Sequence, residues 1–202
     1  MHPKTTIRPY CHADADAITA IYADAVLHTT ATYEETPPTS AEMHRRLSAL
    51  IDAGFPCFVA ETEIETATET ESETEQSHNT EVLPVVAGYT YAGPFRPRPA
   101  YRFTVEHSVY VAHHQRGRGV GRLLLEALVA QCGRSGGGGG FRQMVGVIGE
   151  PQANRASVAL HERMGFREVG RIEGSGYKFG RWLDTLLVQR AVGDGVARPP
   201  ET

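Results

Sequence analysis

The sequence contains no run that approaches the ~18 to 20 consecutive apolar residues a membrane-spanning helix needs. Its first residues, MHPKTTIRPYCHADAD, lack the apolar core of a secretory signal, so a cytoplasmic setting is the expectation. Cysteine is scarce. Cys11, Cys57 and Cys132 lie far apart in no metal-binding or redox spacing, and read as buried free thiols with no metal to hold. A continuous basic stripe is missing too. The net charge is −4, yet residues 61–81 (ETEIETATETESETEQSHNTE) hold eight Glu, six Thr and no Lys or Arg. That segment carries −8, which leaves +4 for the remainder. A mild surplus of this kind suits a small anionic ligand and is too diffuse for nucleic acid.

What is present fits one core. At 202 residues and 41% apolar residues the chain is expected to form one domain over 1–202. TTIRPY reads as a first strand. DADAITAIYADAVLHTT follows as a helix with its apolar stripe at Ile18, Ile21, Tyr22, Ala25 and Val26. Thr39 and Glu42 have capping-box spacing at the start of a second helix, which Gly54 ends. Strands PCFVAE and VLPVVAGYTYAG flank the Glu/Thr segment, whose alternation offers almost nothing to bury. The expectation is a disordered acidic insertion over 61–81. AYRFTVEHSVYVA is the longest strand candidate. A helix from about Gly119 to Cys132, a link GRSGGGGG, a strand FRQMVGVIG, a helix NRASVALHERMG and two closing strands complete the pattern. Residues 193–202 are expected to form a disordered tail. Strands and helices mix without strict alternation, which gives an α/β (α+β) class with a mixed sheet.

The most informative stretch is HHQRGRGVGRLLLEAL. Glycines let an anion approach the backbone, arginines attract it, and a helix N-terminus presents free N–H groups with the dipole behind them. No Gly-Lys-Ser/Thr triplet is present, so this is not an ATP-type phosphate loop. A dinucleotide fingerprint needs an acid ~20 residues on, where this chain has GGGGGFR. The run Arg116-Gly117-Arg118-Gly119-Val120-Gly121, followed by Arg122, instead resembles the Q/R-x-x-G-x-G/A pyrophosphate loop of the GNAT superfamily of N-acetyltransferases. ANRASVALHERMGF resembles that superfamily's later motif, and HSVYVA resembles the strand that precedes its loop.

The resemblance implies a mostly antiparallel central sheet flanked by helices and acetyl-CoA as cosubstrate. It places the pantetheine amides against the backbone of Val109, Tyr110 and Val111, and gives Asn154 a hydrogen bond to the same arm alongside helix capping. GYTYAGPFRPRPAYRFTVEHSVYV and HTTATYEETPPT narrow the likeness to the phosphinothricin and methionine sulfoximine N-acetyltransferases. That family implies Glu106 as general base and His161 as acid, base or acceptor ligand. It also implies Arg96, Arg98, Tyr101 and Tyr33 at the acceptor, with Thr30 and Thr32 nearby, and a homodimer. The expected partner is a small amino-acid-like substrate, with no nucleic acid and no membrane. Two other readings stand open: a GNAT enzyme for a peptide N-terminus or a polyamine, and a non-catalytic acetyl-CoA sensor.

Overall fold

In the computed structural model the chain is described over residues 4–68, 79–134 and 140–199. Seven strands form one sheet: β1 (Thr5–Pro9), β2 (Cys57–Thr68), β3 (Asn79–Pro94), β4 (Thr104–Val111), β5 (Gln143–Gly149), β6 (Arg167–Lys178) and β7 (Arg181–Ala191). Their spatial order is β1-β2-β3-β4-β5-β7-β6. Only β4 and β5 are parallel neighbours; the other adjacent pairs run antiparallel. Among the described residues four α-helices flank the sheet: α1 (Ala15–His28), α2 (Ser40–Asp52), α3 (Val120–Gly133) and α4 (Arg155–Arg163). This is the mixed, mostly antiparallel architecture that the sequence led us to expect.

The helices form where the apolar spacing predicts. All five stripe residues of α1 are buried, and Ile18 and Val26 meet Leu47 of α2, Val59 and Tyr89 in one cluster. Thr39 Oγ1 accepts the Glu42 N–H at 3.2 Å to start α2, and Gly54, at φ +85°, ends it. On the other face Leu125, Leu128 and Cys132 of α3 pack with Val105, Met144, Leu186 and Val188; α4 adds Val158 and Leu160, and Met164 follows at its end. Truncating a fully buried leucine such as Leu125 to alanine would cost about 2–5 kcal/mol. The α1–α2 layer thus backs β2 and β3, and the α3–α4 layer backs β4 and β5.

Three expectations need correction. Residues 61–68 and 79–81 are not irregular: they continue β2 and β3, paired from Glu61↔Val86 to Thr68↔Asn79. Antiparallel hydrogen bonds extend outward from the buried Val59↔Tyr89 pair, and threonine suits a strand. Ladder continuity carries the strands outward through a stretch with little apolar content. The rest of that insertion, residues 69–78, lies outside the described residues. In the tail, Gly193 and Asp194 are held against the core. A Cβ on Gly133 would meet the Gly193 nitrogen at 2.9 Å, and Arg142 pairs with Asp194 at 3.3 Å. Finally, Cys57 and Cys132 are buried, and burial pushes each thiol up to about 12, but Cys11 is exposed.

Candidate active site

β4 and β5 pair over only four positions, from Thr104↔Gln143 to His107↔Gly146. Both strands continue, to Val111 and Gly149, with no further pairing to each other. The β4 segment keeps its β3 partner as far as Val111↔Gly88, so the edge of Ser108–Val111 that faces β5 is left open. An unpaired strand edge holds unsatisfied N–H and C=O groups, a template for an extended chain with amides of its own. A depression opens between the parted strands, lined by Ser108, Val109, Tyr110 and Ile148, with Asn154 and Ser157 from the start of α4. The side chains of His107 and His161 line it as well.

The glycine loop lies just beyond β4. Gly117 and Gly119 adopt φ +77° and +85°, left-handed values that side chains resist, and a Cβ on either would meet no protein atom within 4 Å. Gly119 caps α3. Its carbonyl accepts from the amides of Arg122 and Leu123, whereas among the described residues the amides of 117–121 donate to no backbone carbonyl. Gly121 serves packing: a Cβ there would meet Leu160 Cδ2 at 3.3 Å and Val111 Cγ2 at 3.5 Å. Val120 is buried under the first turn. Arg116 donates from Nε to the Val111 carbonyl and lies 3.5 Å from Asp24, Arg122 pairs with Glu126 at 2.7 Å, and Arg118 is exposed. Open amides, positive φ and a helix dipole make an anion cradle whose shape comes from the backbone.

Asn154 occupies the residue before α4, but its side chain makes no capping bond, contrary to expectation. Nδ2 donates to the Gly149 carbonyl at 2.7 Å and to Thr30 Oγ1 at 3.0 Å, tying α4 to the end of β5. Glu106 is half-buried. Burial pushes its carboxyl above the usual range, and Arg96 offsets part of that rise. Because successive residues of a strand face opposite sides, Glu106 lies across β4 from His107. The 95–103 loop thereby brings Arg96 toward Glu106, while Arg98 and Tyr101 are exposed, Tyr101 packing edge-on against Phe95.

Tyr33 is committed to the framework. Its hydroxyl donates to the Asp184 carbonyl at 2.6 Å and accepts from the Glu150 amide at 3.2 Å. The ring fits where Gly149 and Gly176 leave room: a Cβ on Gly176 would come within 2.4 Å of it. Thr32 pairs with the Tyr22 hydroxyl at 3.0 Å.

His161 is buried, with both ring nitrogens engaged. Nδ1 lies 2.7 Å from the Ser157 carbonyl, and Nε2 lies 3.0 Å from Nε2 of His107. His107 in turn holds the Val145 carbonyl through Nδ1 at 2.9 Å. Burial lowers the proton affinity of both rings, His107 to about 3 with a further contribution from His161. The sequence reading missed His107 and Ser157. The signal available for His107 was a histidine on the apolar face of β4, two residues from Val105; nothing at sequence level pairs it with α4.

The comparisons agree with this geometry. The Acetyltransferase (GNAT) family model matches residues 30–166. A phosphinothricin N-acetyltransferase of Alcaligenes faecalis is 41% identical over 97% of this chain and 87% of its own. An L-methionine sulfoximine/L-methionine sulfone acetyltransferase of Pseudomonas aeruginosa is 38% identical over 92% of this chain and 94% of its own. The crystal structure of a Sinorhizobium meliloti phosphinothricin acetyltransferase in complex with AcCoA superposes with a TM-score of 0.81 at 41% identity, covering 100% of this chain and 94% of that one. The open edge of β4, the cradle at α3 and these likenesses together mean that the chain belongs to the acetyltransferase (GNAT) family, as an acetyl-CoA-dependent N-acetyltransferase.

Proposed function

We propose that the protein acetylates the amino group of a small amino-acid-like acceptor, such as phosphinothricin or methionine sulfoximine, by direct transfer with Glu106 as general base. The observation that carries this reading is the parting of β4 and β5 directly ahead of the glycine cradle. In it, the pyrophosphate of acetyl-CoA takes the amides of Gly117–Gly121 with Arg116, Arg118 and Arg122 adding charge. The pantetheine amides pair with the open edge at Val109, Tyr110 and Val111. Asn154 holds the end of β5 in place beside that arm.

The chemistry needs a neutral amine. An ammonium group cannot attack the thioester carbonyl until it gives up a proton, and a carboxylate whose pKa is raised by burial is a better base than a solvated one. Glu106 takes that proton, directly or through water. Arg96 and Arg98 suit an acceptor that carries a carboxylate and a phosphinyl or sulfoximine group, because the guanidinium fork donates paired hydrogen bonds to such oxygens. Tyr101 borders the same loop. Tyr33 acts from behind, holding the end of β5 rather than the ligand.

A peptide acceptor is the second reading, favoured by one likeness. The crystal structure of a ribosomal-protein-alanine N-acetyltransferase from Brucella melitensis superposes with a TM-score of 0.75 at 36% identity, covering 93% of this chain and 99% of that one. Thiol release from acetyl-CoA, measured over a panel of amino-acid analogues, an alanine-ended peptide and a polyamine, separates these. The expected result is turnover with the phosphinyl and sulfoximine amino acids. Turnover with the peptide alone would overturn the acceptor assignment, and acetyl-CoA binding with no turnover would leave a sensor.

The reading also includes a cytoplasmic homodimer. Trp182, Tyr177 and Phe179 at the β6–β7 end are exposed, an apolar patch of the kind that a partner subunit covers. Light scattering at micromolar concentration tests it, with the monomer mass as the contrary result.

A further inference from the structure

Two buried imidazoles stand Nε2 to Nε2 at the point where β4 and β5 part. Their outer nitrogens both face backbone carbonyls, Val145 at 2.9 Å from His107 Nδ1 and Ser157 at 2.7 Å from His161 Nδ1. A carbonyl only accepts, so each Nδ1 calls for a proton, and the Nε2 contact calls for one more. Three contacts need three protons, and two neutral rings carry two. One contact is therefore short of a proton whenever the pair is neutral.

The surroundings show a built site. Gly146 sits in the middle of β5, where glycine weakens a strand. A Cβ there would come within 2.8 Å of His107 Cε1, 2.9 Å of Val188 Cγ2 and 3.3 Å of His161 Nε2. The glycine makes room for the ring pair. Phe166 packs on both rings, with centroids 5.1 Å from each. Among the described residues, the groups placed against the pair are Val145 and Gly146 from β5, Val188 from β7, Ser157 from α4 and Phe166, none of them titratable. Burial keeps the resting pair neutral.

The neutral arrangement has a direction. Either outer contact could give up its proton, but only the His161 side has a second donor, the Ser157 hydroxyl, to meet a bare Nδ1. The arrangement it favours keeps His107 Nδ1–H on the Val145 carbonyl, makes His107 Nε2 an acceptor and puts the His161 proton on Nε2. His161 Nδ1 is then a lone pair, and the hydroxyl of Ser157, a residue that lines the depression, is the donor 3.4 Å away that can meet it. With that proton turned inward, Ser157 Oγ presents lone pairs to the depression.

We propose that Ser157, His161 and His107 form a directed proton chain at the floor of the site, in which His107 is the positioning residue that sets the tautomer of His161. The chain carries the second proton of the reaction, and so rests on the N-acetyltransferase reading above. An ammonium acceptor loses two protons when it becomes an amide: one goes to Glu106 and on to solvent, and the other ends on the departing sulfur. After the amine nitrogen has formed its bond to the carbonyl carbon, its remaining extra proton passes to Ser157 Oγ as the Ser157 proton passes to His161 Nδ1. The pair now holds three protons, the state in which all three contacts are satisfied at once. As the C–S bond breaks and its electron pair leaves with sulfur, Ser157 gives its proton to the thiolate and recovers one from His161 Nδ1. The low proton affinity of the buried rings drives that return.

Ring-nitrogen NMR of the free enzyme at neutral pH tests the tautomers without any turnover. The expected pattern is His107 protonated on Nδ1 and His161 on Nε2. Both rings protonated on Nδ1, or His161 protonated on Nδ1 alone, would overturn the chain. Two variants test its use. His107→Gln keeps an amide oxygen near the Nε2 position and so an acceptor for His161, whereas His107→Asn keeps only the donor to Val145. We expect His107→Gln to stay within about threefold of wild-type kcat, and His107→Asn to lose at least ~10-fold with its KM for acetyl-CoA unchanged and no recovery at high pH. Equal losses, or the reverse order, would contradict the assignment. If His107→Asn does not fold, the wild-type tautomers decide. If the wild-type enzyme acetylates no amino acid, the functional reading fails while the tautomers still judge the chain.

Discussion

The antiparallel pair β2–β3 and the parallel pair β4–β5 make opposite use of the backbone. β2 and β3 pair over twelve positions, with one shift of register between Ala60 and Glu61, out to Thr68↔Asn79, although the outer stretch contains almost nothing apolar. β4 and β5 stop pairing after four, in the middle of the core. Where ladder pairing runs on through a stretch with little apolar content, backbone hydrogen bonds alone define the strands. Where the parallel pairing stops, backbone groups are left for a ligand, and the polar residues His107, Ser157, His161 and Asn154 gather around the gap.

The strongest way to break this contrast is to disable the parted region chemically. Glu106→Gln keeps size and hydrogen-bonding capacity, and kcat should fall by ~10²- to 10⁴-fold. Acetyl-CoA affinity should hold. The sign of the pH effect follows from the raised carboxyl pKa. Wild-type activity is lost as pH falls through that raised value, because the base becomes protonated. The variant has no such limb and recovers as pH rises and more acceptor arrives neutral. A folded variant within about threefold of wild type at neutral pH would remove Glu106 from the role.

Next is the cradle. Gly119→Val should weaken acetyl-CoA binding at least ~10-fold, or about 1.4 kcal/mol, by calorimetry. Backbone strain is a confounding cost, and Gly54→Val controls for it. Gly54 has the same φ of +85° and the same free space, at the end of α2. Equal acetyl-CoA affinities in the two variants would sink the cradle.

Gly146→Ala sharpens the contrast from the packing side. Its methyl group collides with His107 and Val188, overpacking worth about 1–3 kcal/mol. At roughly 2–4 °C per kcal/mol for a chain of this size, a melting scan should register it clearly. No shift would mean that the ring pair has room to spare.

The smallest effect belongs to the outer end of the β2–β3 pair. Replacing residues 69–78, ETESETEQSH, with a two-residue Asn-Gly turn joins the paired Thr68 and Asn79. Melting point and kcat should stay nearly unchanged, because loop closure varies only logarithmically with length. A melting point lowered by more than ~5 °C would show that the segment packs.

The fold was largely legible because its signals are local. The α1 stripe, the Thr39 cap and Gly54 were each read from spacing alone, and the structure holds all three. The Glu/Thr segment was misread because the sequence argument weighed burial, whereas a ladder begun in the core extends by backbone pairing. At the site, the glycine loop was legible since its chemistry is written in consecutive residues. The His107–His161 contact was not, because it joins positions 54 apart across a strand and a helix. Tyr33 shows the same limit. Only the glycines of β5 and β6 that receive its ring reveal that its hydroxyl is already engaged.

Hydrogen exchange of the backbone amides, with and without saturating acetyl-CoA, tests the central claim most directly. The account predicts new protection at Val109 and Val111, whose amides point away from β3, and over 117–121, with the β2–β3 pair at 57–64 and 83–88 unchanged. Tight acetyl-CoA binding with no added protection along the open edge of β4 would contradict it.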